Sequence, residues 1–277
     1  MNSLQNSKAY NPLTRHAKLI TIINTRFKGT AVFVAIIQTK GLYMQLVKNN
    51  WSKQDIIELK KHLASLGNPN KVKWTQNINC TGLECLAIPM PKLKAISKDI
   101  CKGNFISFLE FNTYDTFELV VISGYILNTI TDFDLLKEHL LKYKNFVECW
   151  ATCDILKFQT KYFEQSLFEL AMEFCHSKET FTRRIGLKIL FSYTQNEKYI
   201  DNIYQTLNSF TNEKEYYVNM IVAWLFCEMF IKNRDRTYDF LKTHKLNKFA
   251  INKGISKCRD SFRVSKADKD NLLNYKL

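Results

Sequence analysis

Proline is missing from most of this chain of 277 residues. The sequence holds four prolines, and none follows Pro91. Proline breaks helices and is excluded from central strands, so its absence over residues 92–277 allows long uninterrupted elements. Apolar residues recur there with the helical period rather than in alternation. Since 46% of the residues are hydrophobic, the chain can bury a core, and we predict an all-α fold.

Segments with a helical pattern, separated by short joints, recur from Ser52 onward. Pairs of such helices are typical of an α-solenoid, in which each pair buries its apolar face against the next. Repeat identity is not strict, so the periodicity alone leaves a helical bundle open. Helices are predicted at residues 52–66, 88–100, 115–129, 133–143, 147–174, 178–193, 198–209, 214–231, 238–242, 247–258 and 266–275.

Positive charge is concentrated at the two ends of the chain, whose formal net charge is +14. Residues 1–48 hold seven Lys or Arg and no acid, and residues 231–277 hold 13 basic and five acidic residues. Clustered basic residues favour a polyanionic partner, because each phosphate they neutralise releases counterions. Composition by itself also allows solvated lysines on an ordinary surface.

The eight cysteines contain no C-x-x-C pair. Cys149 and Cys153 lie one helical turn apart without a histidine spaced to complete a zinc site, so we predict no metal and thiols kept reduced. Apolar runs stay below membrane-spanning length, and the longest, 220–231, is interrupted by Glu228. These features predict a protein without membrane association, located in the cytoplasm, or at the nucleoid in a bacterium.

Four segments carry residues suited to chemistry on DNA: CWATCD (149–154), TRRIGL (182–187), EYYVNMIVAWLFCEM (215–229) and SKCRDSFRVSKADK (256–269). Trp150 and Asp154 are four residues apart, which places an indole and a carboxylate on one face of a helix. Arg183 and Arg184 offer planar guanidinium groups that match phosphate geometry.

In this order and at about this spacing, the four segments resemble the AlkD family of DNA alkylation repair glycosylases, which are built from HEAT-like helical repeats. The resemblance runs from about residue 56 to 276 and implies a curved α-solenoid without a cofactor. Trp150 and Asp154 match the family's catalytic pair, and Trp224 its second aromatic beside the lesion. Arg184 matches an arginine that holds phosphate, with Arg183 beside it. The closing basic segment implies further phosphate contacts at Lys257, Arg259 and Arg263.

Each of these residues also has a purely structural interpretation. Trp150 and Trp224 fit a hydrophobic core, Asp154 a solvated acid, and an arginine doublet a helix surface. Adjacent helical residues point about 100° apart, so one arginine of the doublet faces a DNA groove, and we choose Arg184.

Some positions depart from the family pattern. Cys149 stands where many members have Asn, and Cys227 and Glu228 follow Trp224 where some have a basic residue. The aromatic contributed by the family's first helices has no clear match, with Tyr43 and Trp51 as candidates.

Residues 1–43 lie outside the resemblance, and we predict a non-homologous extension before a domain of residues 44–277. Residues 31–37 (AVFVAII) fit a strand or a helix. We favour Met44 as the initiator, with a basic, partly ordered arm as the alternative.

The predicted function is a DNA glycosylase of base excision repair, a hydrolase that acts on duplex DNA as a monomer. It removes purines alkylated at N3 or N7, which are cationic and leave as neutral bases. An acid beside an aromatic ring can stabilise the sugar cation left behind. The alternatives are a non-catalytic module that binds branched or damaged DNA or a protein, and a scaffold indifferent to DNA.

Overall fold

The computed structural model describes residues 19–27 and 30–38 as backbone, and residues 44–277 in full. The chain divides into two units, Met1–Gln45 and Leu46–Leu277. In the first unit, β1 (Leu19–Phe27) and β2 (Thr30–Gln38) form an antiparallel hairpin with Leu19 opposite Gln38. Of the two structures open for residues 31–37, the strand is observed. The expectations for the rest of residues 1–43, including Tyr43, lie outside the described residues.

The second unit, Leu46–Leu277, is helical, which confirms the all-α prediction for it. The hairpin of the first unit was not part of that prediction. Over the described residues there are fourteen α-helices: α1 Lys53–Leu66, α2 Val72–Asn79, α3 Met90–Ile100, α4 Phe105–Phe111, α5 Phe117–Leu127, α6 Phe133–Tyr143, α7 Trp150–Asp154, α8 Glu164–Cys175, α9 Thr180–Leu190, α10 Glu197–Ser209, α11 Tyr216–Lys232, α12 Arg234–Thr243, α13 Lys248–Asp260 and α14 Lys266–Asn271.

Helices near one another in the chain, mostly alternate ones, pack in series. In the C-terminal half, α8 packs on α9, α9 on α11, and α11 on α13, while α3 packs on α5 nearer the N-terminus. The shared apolar faces are fully buried, as at Leu167, Ile185, Val222 and Ile251. This serial packing is compatible with the predicted α-solenoid.

Two short helices, α2 and α4, escape prediction from the sequence. α2 follows a single 3₁₀ turn at Pro69–Lys71 and buries only Asn79. Its apolar residues, Val72, Trp74 and Ile78, are spread over only two turns of a polar segment, which is too short to establish the helical period on which prediction depends. α4 has seven residues, and its start is capped by the Asn104 side chain, which accepts a hydrogen bond from the Ser107 amide.

The helix predicted at residues 147–174 is wrong as one element, because it ends after Asp154 and resumes at Glu164 as α8. The Asn128 side chain, at the end of α5, binds the intervening backbone. Its amide nitrogen donates to the Ile155 carbonyl at 2.9 Å, and its oxygen accepts from the Lys157 amide at 2.7 Å. These bonds replace the helical ones that residues 155–157 would otherwise make.

Gly186 allows α8 and α9 to approach each other closely beside the site. A Cβ at this position of α9 would lie 2.7 Å from both the Ala171 carbonyl oxygen and the Cys175 amide nitrogen of α8. Because backbone atoms cannot move aside cheaply, only glycine fits here, two residues after Arg184.

Candidate active site

The five-residue helix α7 presents Trp150 and Asp154. Its other side is anchored in the core, where Thr152 and Cys153 are buried and the Tyr143 hydroxyl donates to the Thr152 carbonyl at 2.9 Å. The Trp150 indole Nε1 donates to the Ile78 carbonyl of α2 at 3.1 Å. The predicted spacing of an indole and a carboxylate one turn apart is therefore observed. The helix that carries them is fixed by hydrogen bonds to Tyr143 and to α2.

Asp154 and Arg184 form a two-pronged ion pair. Arg184 Nε donates to Asp154 Oδ1 at 3.1 Å and Nη2 to Oδ2 at 2.8 Å, while Nη1 donates to the Tyr217 carbonyl at 2.5 Å. The Asp154 side chain is 17% exposed, and the Arg184 side chain is 6% exposed. This pair joins α7, α9 and α11, and its planar geometry holds the carboxylate in one orientation.

These groups open onto a cleft of about 420 Å³. The cleft brings together five residues proposed from the sequence, namely Trp150, Asp154, Arg184, Trp224 and Lys257. Tyr216, Tyr217 and Met220 complete its lining. Residues from four separate segments of the chain therefore meet on one surface.

Trp224 is half-buried beside Phe191, with ring centroids 4.6 Å apart. The Lys188 Nζ lies 5.8 Å from the centroid of the Trp224 ring, within cation–π range. Burial lowers the pKa of Lys188, and the negative charge of Asp154 opposes that shift. Trp224 thus packs against α9, as a core residue would, and also lines the cleft, as the family resemblance predicts.

Arg183 is engaged in local structure. Its Nε donates to Glu213 Oε2 at 2.9 Å, and its Nη1 donates to the carbonyls of Ser177 and Lys178 at 3.0 and 2.8 Å. These bonds tie the start of α9 to the turn before α11. A phosphate contact by Arg183 stays a prediction, and Arg184 is the member of the doublet that lines the cleft.

The closing basic segment divides in a similar way. Lys257 lines the cleft, and Arg259 is exposed at the end of α13. Arg263 forms a two-pronged ion pair with Glu228, in which Nη1 donates to Oε2 at 3.1 Å. Glu228, a departure from the family pattern, therefore pairs with a basic residue from that segment.

The aromatic expected from the first helices is not Trp51. Trp51 is 2% exposed and packs edge-on against Phe108, with ring centroids 5.1 Å apart. Sequence reasoning missed Trp74 on α2, which is 62% exposed and lines a second cavity that also contains Trp150 and Asp154. An isolated tryptophan in a polar stretch was the available signal.

Tyr217 connects α11 to the end of α2. Interaction with the Cys80 thiol, together with burial, raises the pKa of Tyr217 to about 12. Cys80 has a left-handed backbone with φ 53° and ends α2. The hydroxyl of Tyr217, like that of an ordinary tyrosine, is protonated at neutral pH, and the residue lines the cleft as a neutral phenol.

Within the part of the chain that the structure describes, no cluster of three or more His, Cys, Asp or Glu side chains could hold a metal ion. Among the same residues, no helix combines the length and the apolar character needed to cross a bilayer.

A helical protein with a carboxylate, two indoles and cationic groups in the lining of one cleft has the features of a protein that acts on nucleic acid. The family model described as DNA alkylation repair enzyme matches residues 59–258. The chain therefore belongs to the DNA alkylation repair enzyme family, and a role in DNA repair with DNA as the partner follows from that membership. A comparison with curated proteins found no match.

Proposed function

We propose that this protein is a DNA glycosylase that hydrolyses the N-glycosidic bond of N3- and N7-alkylated purines in duplex DNA. The observation that carries the proposal is the convergence of Trp150, Asp154, Trp224 and Arg184 on one cleft. A glycosylase needs a group that stabilises positive charge on a sugar, and Asp154 is the acid of this cleft.

The chemistry follows from the charge of the substrate. As the bond from C1′ to the purine nitrogen breaks, its electron pair neutralises the cationic base, and positive charge develops on the sugar. The carboxylate of Asp154 and the faces of Trp150 and Trp224 stabilise that charge. Water then bonds to C1′ and gives its proton to Asp154.

Arg184 acts as a positioning residue for Asp154. Its Nε and Nη2 groups bind both carboxylate oxygens, so the carboxylate is oriented before DNA arrives. A guanidinium has five N–H groups, and three are used by Asp154 and the Tyr217 carbonyl. The remaining N–H groups are available for the phosphate contact that the family resemblance predicts.

Release of N7-methylguanine and N3-methyladenine from methylated duplex DNA tests the proposal. The wild-type protein is expected to release both bases, and Asp154→Asn to lose at least about a hundredfold in single-turnover rate, the usual size of one electrostatic catalytic group. Asp201→Asn is the matched control, because its side chain is 82% exposed and lies outside the cleft. Full activity of a folded Asp154→Asn variant would overturn the assigned role.

Duplex binding measured at two salt concentrations separates the alternatives. Salt-sensitive binding that Arg184→Ala weakens, without base release, would indicate a non-catalytic DNA-binding module. In that alternative the ion pair between Asp154 and Arg184 is structural, and the guanidinium occupies the carboxylate that a catalyst would use. Binding to no DNA at any salt concentration would indicate a protein scaffold.

A further inference from the structure

Lys188 lies on α9 one helical turn after Arg184, a spacing that places two side chains on one face of a helix with Cβ atoms roughly 6 Å apart. The Lys188 Nζ lies 5.4 Å from the centroid of the Phe191 ring and 5.8 Å from that of the Trp224 ring. Trp224 lines the cleft, whereas Lys188 is not part of that lining. An ammonium group is therefore held against two aromatic rings at the border of the cleft.

Within residues 44–277, no carboxylate forms an ion pair with the Lys188 ammonium and no oxygen accepts a hydrogen bond from it. A lysine whose stem covers apolar surface normally keeps its charged end in water. The Lys188 side chain is instead partly buried, and burial lowers its pKa because the charged form loses hydration. The two aromatic faces compensate only part of that loss, so an anion bound at this ammonium would be stabilised.

Lys157 adds a second ammonium group near the first. It follows α7, and its backbone is fixed by Asn128, whose side-chain oxygen accepts from the Lys157 amide at 2.7 Å. The side chain is exposed, and in the part of the chain that the structure describes its ammonium has no hydrogen-bond acceptor or carboxylate beside it. Besides burial, the charge of Asp154 raises the pKa of Lys188, and the charges of Lys157 and Arg184 lower it. These four charged groups are therefore close enough to act on one another.

Positive charge exceeds negative charge in this group. Arg184 and Asp154 neutralise each other as an ion pair, which leaves the ammonium groups of Lys188 and Lys157 uncompensated. This excess would repel both a cationic purine and a sugar cation at Asp154. Phosphates of a nucleic-acid backbone carry one negative charge each and would cancel the excess. The two lysines therefore suit the backbone that lies next to the reacting sugar.

From these features we propose that Lys188 and Lys157 form a phosphate-binding subsite for the damaged strand. The sugar of the damaged nucleotide lies at Asp154, and the backbone phosphate next to it lies at the two ammonium groups. The contact is to the backbone alone, so it positions the strand without reading its sequence. The proposal rests on the proposed function, because it assumes that the reacting sugar lies at Asp154.

Two measurements on the full chain test the subsite with undamaged duplex DNA, so neither depends on base release. The first is duplex affinity over a salt series, by fluorescence anisotropy, for Lys188→Met, Lys157→Met and Lys188→Arg. The second is acetylation of lysines by N-hydroxysuccinimide acetate with and without the duplex, followed by peptide mass spectrometry. Lys198→Met is the matched control. The Lys198 Nζ also lies over a ring, 4.9 Å from the Tyr199 centroid, but on α10 and outside the cleft lining.

We expect Lys188→Met and Lys157→Met each to reduce the slope of log affinity against log salt concentration by about 1, equally for two unrelated duplex sequences. Lys188→Arg should retain the slope, because a guanidinium also binds phosphate, and Lys198→Met should match the wild type. The duplex should protect Lys188 and Lys157 from acetylation and leave Lys198 as reactive as in the free protein. Lys157→Met, at an exposed position, decides the question if Lys188→Met does not fold.

Unchanged slopes together with unprotected Lys188 and Lys157 would overturn the subsite, and base release by the same wild-type protein would show that the proposed function stands. Reduced slopes and protection in a protein that releases no base from methylated duplex DNA would support the phosphate contact and overturn the glycosylase. A wild-type protein that binds no duplex at any salt concentration would overturn both.

Discussion

At the scale of single residues, the ion pair between Asp154 and Arg184 is the feature with the largest consequences. Removing one partner of a buried pair leaves an uncompensated charge, which costs far more than the pair itself contributes. Arg184 therefore has a structural role beside its proposed functional one, so its substitution should change protein stability as well as activity.

Arg184→Met is expected to lower the free energy of unfolding by roughly 3 kcal/mol, the low end for a buried pair because Asp154 keeps some exposure. Asp154→Asn is expected to cost less, since the amide oxygen still accepts from Arg184. Urea denaturation of both single variants and the double variant measures the coupling free energy between the two side chains, which is expected to exceed about 0.5 kcal/mol.

Arg236→Met is the control, because Arg236 is 48% exposed in its pair with Glu197. It should change the free energy of unfolding by less than about 1 kcal/mol. Additive effects of the two cleft substitutions would contradict the pairing.

At the scale of elements, short segments position the site more than the long helices do. α7 has five residues, and the turn at residues 84–89 has no regular structure apart from its bridge to Thr116. Both are held by side chains of neighbouring elements, Asn128 and Glu118 in particular.

The buried carboxyl of Glu118 makes the stability of the turn at residues 84–89 depend on pH. Burial raises the pKa of Glu118 above its ordinary value of 4.5. The stability associated with this carboxyl is therefore fully present below the unfolded pKa and is lost as pH rises through the folded pKa. Glu118→Gln removes the titration, so the stability of the variant relative to the wild type should increase between about pH 4 and about pH 7.

Urea midpoints at the two pH values measure that trend. Glu118→Leu also removes the titration, so it should follow the same pH trend relative to the wild type. It should be less stable than Glu118→Gln by about 1–3 kcal/mol at both pH values, because the Leu86 and Ile88 amides lose their acceptor. A stability difference between Glu118→Gln and the wild type that is constant with pH would contradict the assignment.

The close contact between α8 and α9 should not tolerate a side chain at Gly186. Gly186→Ala places a methyl group 2.7 Å from two backbone atoms, so the helices must separate, at a cost of about 1–3 kcal/mol. Gly82→Ala is the matched control, because its Cβ would meet only Glu148 oxygens at 3.7 and 3.8 Å. Thermal unfolding of both variants measures the difference, and equal midpoints would argue against the close approach.

At the scale of the whole molecule, the placement of charge bears on the proposed binding of duplex DNA. The last 47 residues carry a large basic excess, and part of it is neutralised by ion pairs such as Arg263–Glu228 and Arg234–Asp268. Lys257, in contrast, lines the cleft itself. The basic residues that matter for binding are therefore fewer than the composition implies.

We expect the logarithm of duplex affinity to fall linearly with the logarithm of salt concentration. Lys257→Ala should reduce that slope by about 1, as expected for one phosphate contact, while exposed Lys61→Ala on α1 should leave it unchanged. Fluorescence anisotropy over a salt series measures both slopes. Equal slopes for Lys257→Ala and the wild type would remove Lys257 from the interface.

The helical character of residues 46–277 and the pairing of Trp150 with Asp154 could be predicted from the sequence, because both depend on spacing along one helix. α2 and the break after Asp154 could not. α2 has only eight residues, too few to establish a helical period, and the break depends on Asn128, which lies 27 residues from the carbonyl it binds.

By itself, then, the sequence determined the helical class, the family resemblance and the residues predicted to act on DNA, since these follow from local spacing and side-chain chemistry. Only the tertiary structure decided that Arg184 lies against Asp154 while Arg183 binds Glu213, and that Trp74 reaches a cavity beside Trp150. The physical reason is that these contacts join elements far apart in the chain, where packing and charge pairing rather than local periodicity select the partner.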